Sequence, residues 1–185
     1  MNEFIDLLKG GDLRILRGTN EVIARVKGQD EFDALFTLLF HHERTVVMRA
    51  ADAVEKITRF APHFLALHKT QLLELMKDHA MIELKWHLAQ LAPRLDLTDS
   101  EVEQVWARLR YWTLNRSESK IVRVHALQAM FDLSQSTGTE QLKKDFRTVV
   151  GTIEREGIPS IDARIRKLRT DVRQHRKSHR PQSHN

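Results

Sequence analysis

The chain of 185 residues carries 30 Lys/Arg against 25 Asp/Glu, a formal net charge of +5, with 41% of its residues hydrophobic. That length and apolar share suit one domain burying about 70% of the surface its unfolded chain exposes. Cysteine is absent, which excludes disulfides, thiolate-held zinc, iron–sulfur clusters and thiol catalysis. No apolar run reaches the ~18 residues of a membrane span, and residues 1–11 hold Glu3 and Asp6 where a secretory leader carries positive charge. A cytoplasmic protein is expected.

In chain order, apolar residues recur at spacings of three and four and never alternate usefully with polar ones, so every element is read as helix. Breaks fall at Gly10-Gly11, Gly28, Pro62, Pro93, Gly138 and Gly157 with Pro159. The first helix of each of five pairs is expected over residues 2–9, 30–41, 64–77, 99–114 and 139–156. Asp30, Asp99, Thr139 and Ser160 are N-cap candidates, and Thr98 with Glu101 forms a capping box in which each side chain satisfies an orphan backbone donor.

The second helices share a register. Residues 46–57 superpose on 84–95 at a shift of 38, and the same shift leads to 122–133. The columns Val46/Leu84/Val122, Ala50/Leu88/Ala126, Ala53/Leu91/Ala129 and Ile57/Leu95/Leu133 form one stripe of a 3.6-residue helix. A copy at 39 uses Ile161, Ile165, Leu168 and Val172; a looser one at 31 upstream uses Ile15, Thr19, Val22 and Val26. The repeats run over residues 1–28, 29–61, 62–96, 97–137 and 138–174, with 175–185 a basic polar tail.

In period, in two-helix units and in the small residues Ala50, Ala53, Ala126 and Ala129, the chain resembles the HEAT and armadillo repeat families. The resemblance implies an all-α, right-handed superhelix of about five HEAT-like pairs, with second helices lining a concave docking surface. Pro93 interrupts one second helix, and the Asp/Arg pattern of the family is incomplete.

Arg49, His87, His125 and Arg164 occupy one repeat position, a basic column for docking an acidic peptide or phosphate backbone, or for contacts between repeats. Trp86 and Arg123 lie beside it as further partner-binding candidates, and the column Asp52/Gln90/Gln128/Lys167 runs alongside. Between residues 164 and 180 eight bases (Arg164, Arg166, Lys167, Arg169, Arg173, Arg176, Lys177, Arg180) face the single acid Asp171, so charge gathers at one end. That end suits a capping helix, an acidic partner, an anionic membrane surface or nucleic acid, although no aromatic residue there offers a stacking platform. Trp106, Tyr111 and Trp112 read chiefly as packing or inter-repeat residues, with a partner-binding anchor as the alternative.

His42-Glu43 lacks the second histidine of a zincin, and His41 and His42, read as neighbours on a helix, point different ways. His175, His179 and His184 belong to the tail. No metal, cofactor or catalytic motif is expected. Alkylpurine DNA glycosylases with HEAT-like repeats offer an enzymatic analogy, in which Asp52 and Trp86 would take the acid and aromatic parts. The leading expectation is a non-enzymatic scaffold that docks a protein partner, with nucleic-acid binding as the alternative.

Overall fold

Every regular element among the described residues is helical. The computed structural model describes residues 3–10, 18–77, 81–137 and 139–178, with side chains described through residue 171. Ile15, Arg180, His179 and His184 lie outside the described residues, as do the side chains of Val172, Arg173, His175, Arg176 and Lys177. The chain divides into two compact units, Met1–Arg108 and Leu109–Asn185.

The first unit contains α1 (Ile5–Leu8), α2 (Thr19–Arg25), α3 (Gln29–Phe36) extended by a 3-10 turn Thr37–Phe40, and α4 (Arg44–Thr58). A 3-10 segment Pro62–His68 then leads into α5 (Lys69–Lys77), and α6 (Ile82–Leu91) ends in the 3-10 turn Ala92–Arg94. The unit boundary falls inside α7 (Asp99–Leu114). The second unit continues with α8 (Lys120–Ser136), α9 (Glu140–Ile153) followed by the 3-10 turn Glu154–Glu156, and α10 (Pro159–Ser178).

The 38-residue register identifies the core. Val46, Ala50 and Ala53 of α4 and Leu84, Leu88 and Leu91 of α6 are buried in the first unit; Val122, Ala126 and Ala129 of α8 and Ile161, Ile165 and Leu168 of α10 are buried in the second. The central helix of the first unit is α4, which packs against α1, α2, α3 and α6. It is consequently buried at every position from Val46 to Glu55, around its whole circumference rather than along one stripe. In the second unit α8 packs against α9 and α10, and Leu127, Phe131, Ile153, Ile161, Ile165 and Leu168 form the core, with Phe146 and Val150 against it.

Local signals set the ends. Thr98 and Glu101 form the expected capping box: the Thr98 N–H donates to the Glu101 carboxylate at 2.8 Å and the Glu101 N–H to Thr98 Oγ1 at 3.4 Å. Asp99 is thus the first helical residue, just inside the cap. Three other starts differ from expectation. Gly28 caps α3, its N–H held by Glu31 at 2.9 Å, which leaves Asp30 in the first turn where its charge favours the helix dipole. Pro159 opens α10, so Ser160 lies inside the helix; proline suits a first turn because its missing N–H has no partner there anyway. Ser119, which lacks a downstream acid to mark it as a box, caps α8 by accepting from the Val122 N–H at 3.3 Å.

One glycine fixes the close approach of α1 and α2. Gly18 has φ +74°, and a Cβ there would lie 2.0 Å from the Leu7 carbonyl oxygen. No helix among the described residues is long and apolar enough to cross a membrane.

Candidate functional site

In the first unit the basic column faces inward. Arg49 is fully buried, and its Nη1 donates to the carbonyl oxygens of Leu8 at 2.8 Å, Lys9 at 3.3 Å and Gly10 at 2.6 Å. Those carbonyls are orphan acceptors at and beyond the end of α1, so the guanidinium serves as a C-terminal cap supplied from α4. His87, the next member of the column, is also buried and stacks on half-buried Trp86 with ring centroids 3.8 Å apart.

A second buried polar group was missed by the column reading. Arg94 donates to the Glu55 carboxylate at 2.5 Å, to the Glu55 carbonyl at 2.6 Å and to Thr58 Oγ1 at 2.7 Å. Arg59 adds a two-pronged contact to the same carboxylate at 2.8 and 2.7 Å. Burial alone would raise the Glu55 pKa, but the hydrogen bonds and charges of Arg59 and Arg94 outweigh it and hold the carboxyl below its ordinary range. Pro93 has a constructive part here. Helix α6 stops ahead of it, and the 3-10 turn that follows carries Arg94 to the end of α4. The sequence signal is the separation of 39 between Glu55 and Arg94, one repeat.

Other polar contacts in this unit span similar separations. His68 Nε2 meets Asp33 at 2.6 Å while its ring stacks on Phe36 at 3.9 Å, and Lys69 donates to Glu101 at 2.9 Å. Asp52, the acid of the glycosylase analogy, is buried and paired with Lys56 at 2.7 Å.

The second unit treats its bases differently. Arg123 is buried, with Nε donating to the Thr113 carbonyl at 2.9 Å and Nη2 to Glu156 at 2.8 Å. His125 and Arg164 remain half-buried, and Arg164 donates to Gln128 Oε1 at 2.7 Å, joining two of the aligned columns. On α10, Ile161, Ile165 and Leu168 are buried while Arg166, Lys167, Arg169 and Thr170 are exposed. Arg169 pairs with Glu154 at 2.7 and 2.8 Å, a contact that lowers the Glu154 pKa and raises that of Arg169. Arg166 and Lys167 form no ion pair among the described residues. The α10 backbone runs on to Ser178 and carries Arg173, Arg176 and Lys177 along it.

The aromatic residues divide by exposure: Trp106 and Trp112 are buried, and Tyr111 is 57% exposed.

His41 and His42 are not on a helix. They occupy the turn before α4, their rings stack with centroids 4.2 Å apart, and their donor atoms and those of Glu43 all lie within 4.8 Å of one another. Proximity is insufficient for chelation. Stacked rings send their in-plane lone pairs out side by side, His41 Nδ1 already accepts the Glu43 N–H at 3.1 Å, and the Lys9 ammonium sits 3.6 Å from the Glu43 carboxylate.

Among the described residues the structure therefore defines an all-helical protein whose helices pack against one another. No family model, curated protein or solved structure matches the chain.

Proposed function

We propose that the chain is a non-enzymatic interaction module of HEAT-like type, its pairs stacked in the right-handed sense the repeat resemblance implies, and that it docks an acidic protein partner on the outer face of α10. The observation that carries this reading is the contrast across that helix. Its apolar stripe is used against α8, while Arg166 and Lys167 stand exposed without ion pairs among the described residues. Exposed cations cost little when solvated and gain Coulomb energy when an acidic surface approaches, so they set both encounter rate and choice of partner.

The register supports the repeat reading, because the aligned apolar positions of α4, α6, α8 and α10 with described side chains are buried, apart from half-buried Ile57 at the end of α4. Polar contacts one repeat apart, such as Glu55 with Arg94 and Gln128 with Arg164, support it independently. Nucleic acid is the alternative ligand for the same cations. The exposed described positions of α10 offer no aromatic side chain for base stacking, which favours protein.

The test is capture of partners by the full chain and by Arg166→Glu/Lys167→Glu, with and without nuclease. The proposal expects a nuclease-resistant acidic protein to be retained by the parent and lost, by tenfold or more, from the variant. Binding that vanishes with nuclease and falls with salt at a slope of several counterions identifies nucleic acid instead.

A further inference from the structure

We infer that a recess in the second unit, lined by Arg116, Arg123, Arg155, Glu156 and Ile158, binds a phosphomonoester dianion. It goes beyond the docking face of α10, using none of that helix's outward cations.

The recess, of about 420 Å³, is large enough for a phosphoryl group and the side chain that carries it. Its base is fixed. Arg123 is 2% exposed and held on both sides, by the Thr113 carbonyl and by the Glu156 carboxylate. Arg116 also reaches Glu156, its Nε 3.4 Å from Oε1, and its side chain is 79% exposed. Arg155 is exposed and anchored through Nε to the Gly151 carbonyl at 2.9 Å, which turns the rest of the guanidinium to a defined place. After these contacts Arg123 Nη1 and both Nη atoms of Arg116 and of Arg155 make no hydrogen bond among the described residues. Guanidinium amino groups in this number are the donor set that planar, multidentate recognition of phosphoryl oxygens uses.

Charge decides the class of anion. Three guanidinium groups against one carboxylate leave two positive charges at the recess. A dianion neutralises them; a carboxylate leaves one. Ile158 supplies an apolar wall for the carbon to which the phosphate is attached. Glu156 orients Arg116 and Arg123 but repels the ligand, so it keeps the site weak and selective for double charge. The dianion arrives either as a small free phosphomonoester or on a phosphorylated side chain of a peptide, the same chemistry from two sources.

The experiment titrates the full chain with O-phosphoserine, a short phosphoserine peptide, its unphosphorylated form and the monocarboxylate N-acetylglutamate α-amide, reading the arginine Nε–H signals by NMR. Both phosphorylated probes are expected to shift Arg116 and Arg155, and the peptide binds about tenfold tighter than the amino acid if the natural source is a peptide, no tighter if it is a free small molecule. Arg116→Ala/Arg155→Ala, which removes only exposed side chains, should weaken phosphoserine binding at least tenfold, about 1.4 kcal/mol. Glu156→Gln should strengthen it about threefold by removing the repulsion. Arg166→Glu/Lys167→Glu should hold it within about twofold while abolishing capture of the acidic partner, so the two proposals fail separately. Equal binding of N-acetylglutamate α-amide and phosphoserine, or phosphoserine binding unchanged in Arg116→Ala/Arg155→Ala, overturns the assignment.

Discussion

The two units use the same residue types to different ends. Residues 1–108 hold 14 Lys/Arg against 17 Asp/Glu, while residues 109–185 hold 16 against 8. In the first unit the distinctive bases turn inward: Arg49 caps α1, and Arg94 ties α6 to the end of α4 through a buried carboxylate. In the second unit Arg123 does similar work, yet Arg166 and Lys167 stay in solvent, and the arginines around Glu156 exceed the acid available to them. The lesson is that a basic repeat position carries no functional meaning until its burial is known. A central helix covered on all sides spends its charges on structure; a helix covered on one side presents them.

That contrast can be broken in a graded way. The largest effect is expected from Arg49→Met, which keeps the packing volume but leaves the carbonyls of Leu8, Lys9 and Gly10 without this donor; urea unfolding should show a loss of about 3 kcal/mol. Native-state hydrogen exchange should place that loss in α1 and α4. Arg94→Ala follows at about 2 kcal/mol, because Glu55 keeps Arg59 but loses its second guanidinium.

Acid should act on the same group. The Glu55 carboxyl is depressed below the ordinary 4.5, so its contribution is fully present above that value and is lost as pH falls from 4.5 through the lower folded value. Asp33 and Glu83 have the same sign in the same unit. Each is opposed by burial yet lowered by hydrogen bonds, from Gln29 and His68 to Asp33 and from Arg44 to Glu83. Exchange protection in α3–α6 should therefore decline below pH 4.5 before that in α8–α10. The smallest effect is expected from Arg169→Ala: its pair with Glu154 is about half exposed on both sides, 54% and 42%, and unfolding should register less than about 0.5 kcal/mol.

Much of the fold was legible because the information is local or periodic. The start of α7 follows from the Thr98/Glu101 box, the expected bounds 99–114 are observed without change, and the apolar register marks buried columns in both units. Helix ends were less legible where a glycine or proline replaced a polar cap, as at Gly28 and Pro159. The last turns of α3, α6 and α9 tighten into 3-10 geometry, a choice that periodicity of three and four does not distinguish.

The candidate site was legible only in part. Arg49 and Arg164 share a column, but their environments depend on how many helices surround α4 and α10, a tertiary property invisible along the chain. Glu55 with Arg94 left a trace in their one-repeat separation, and Arg116 with Glu156, 40 apart, left a similar one; these residues and Arg155 nevertheless lie in turns off the aligned columns and acquire meaning only when folding brings them to one recess.

The central claim, that α10 rather than the first unit presents the docking charges, is tested most directly by fluorescence anisotropy of labelled poly-L-glutamate with two matched double reversals. Arg166→Glu/Lys167→Glu and Arg25→Glu/Lys27→Glu change net charge equally, one in each unit. The account predicts that the α10 pair weakens binding tenfold or more while the first-unit pair changes it by no more than about twofold. Equal losses in the two variants would contradict it, since binding would then follow net charge and not the face of α10.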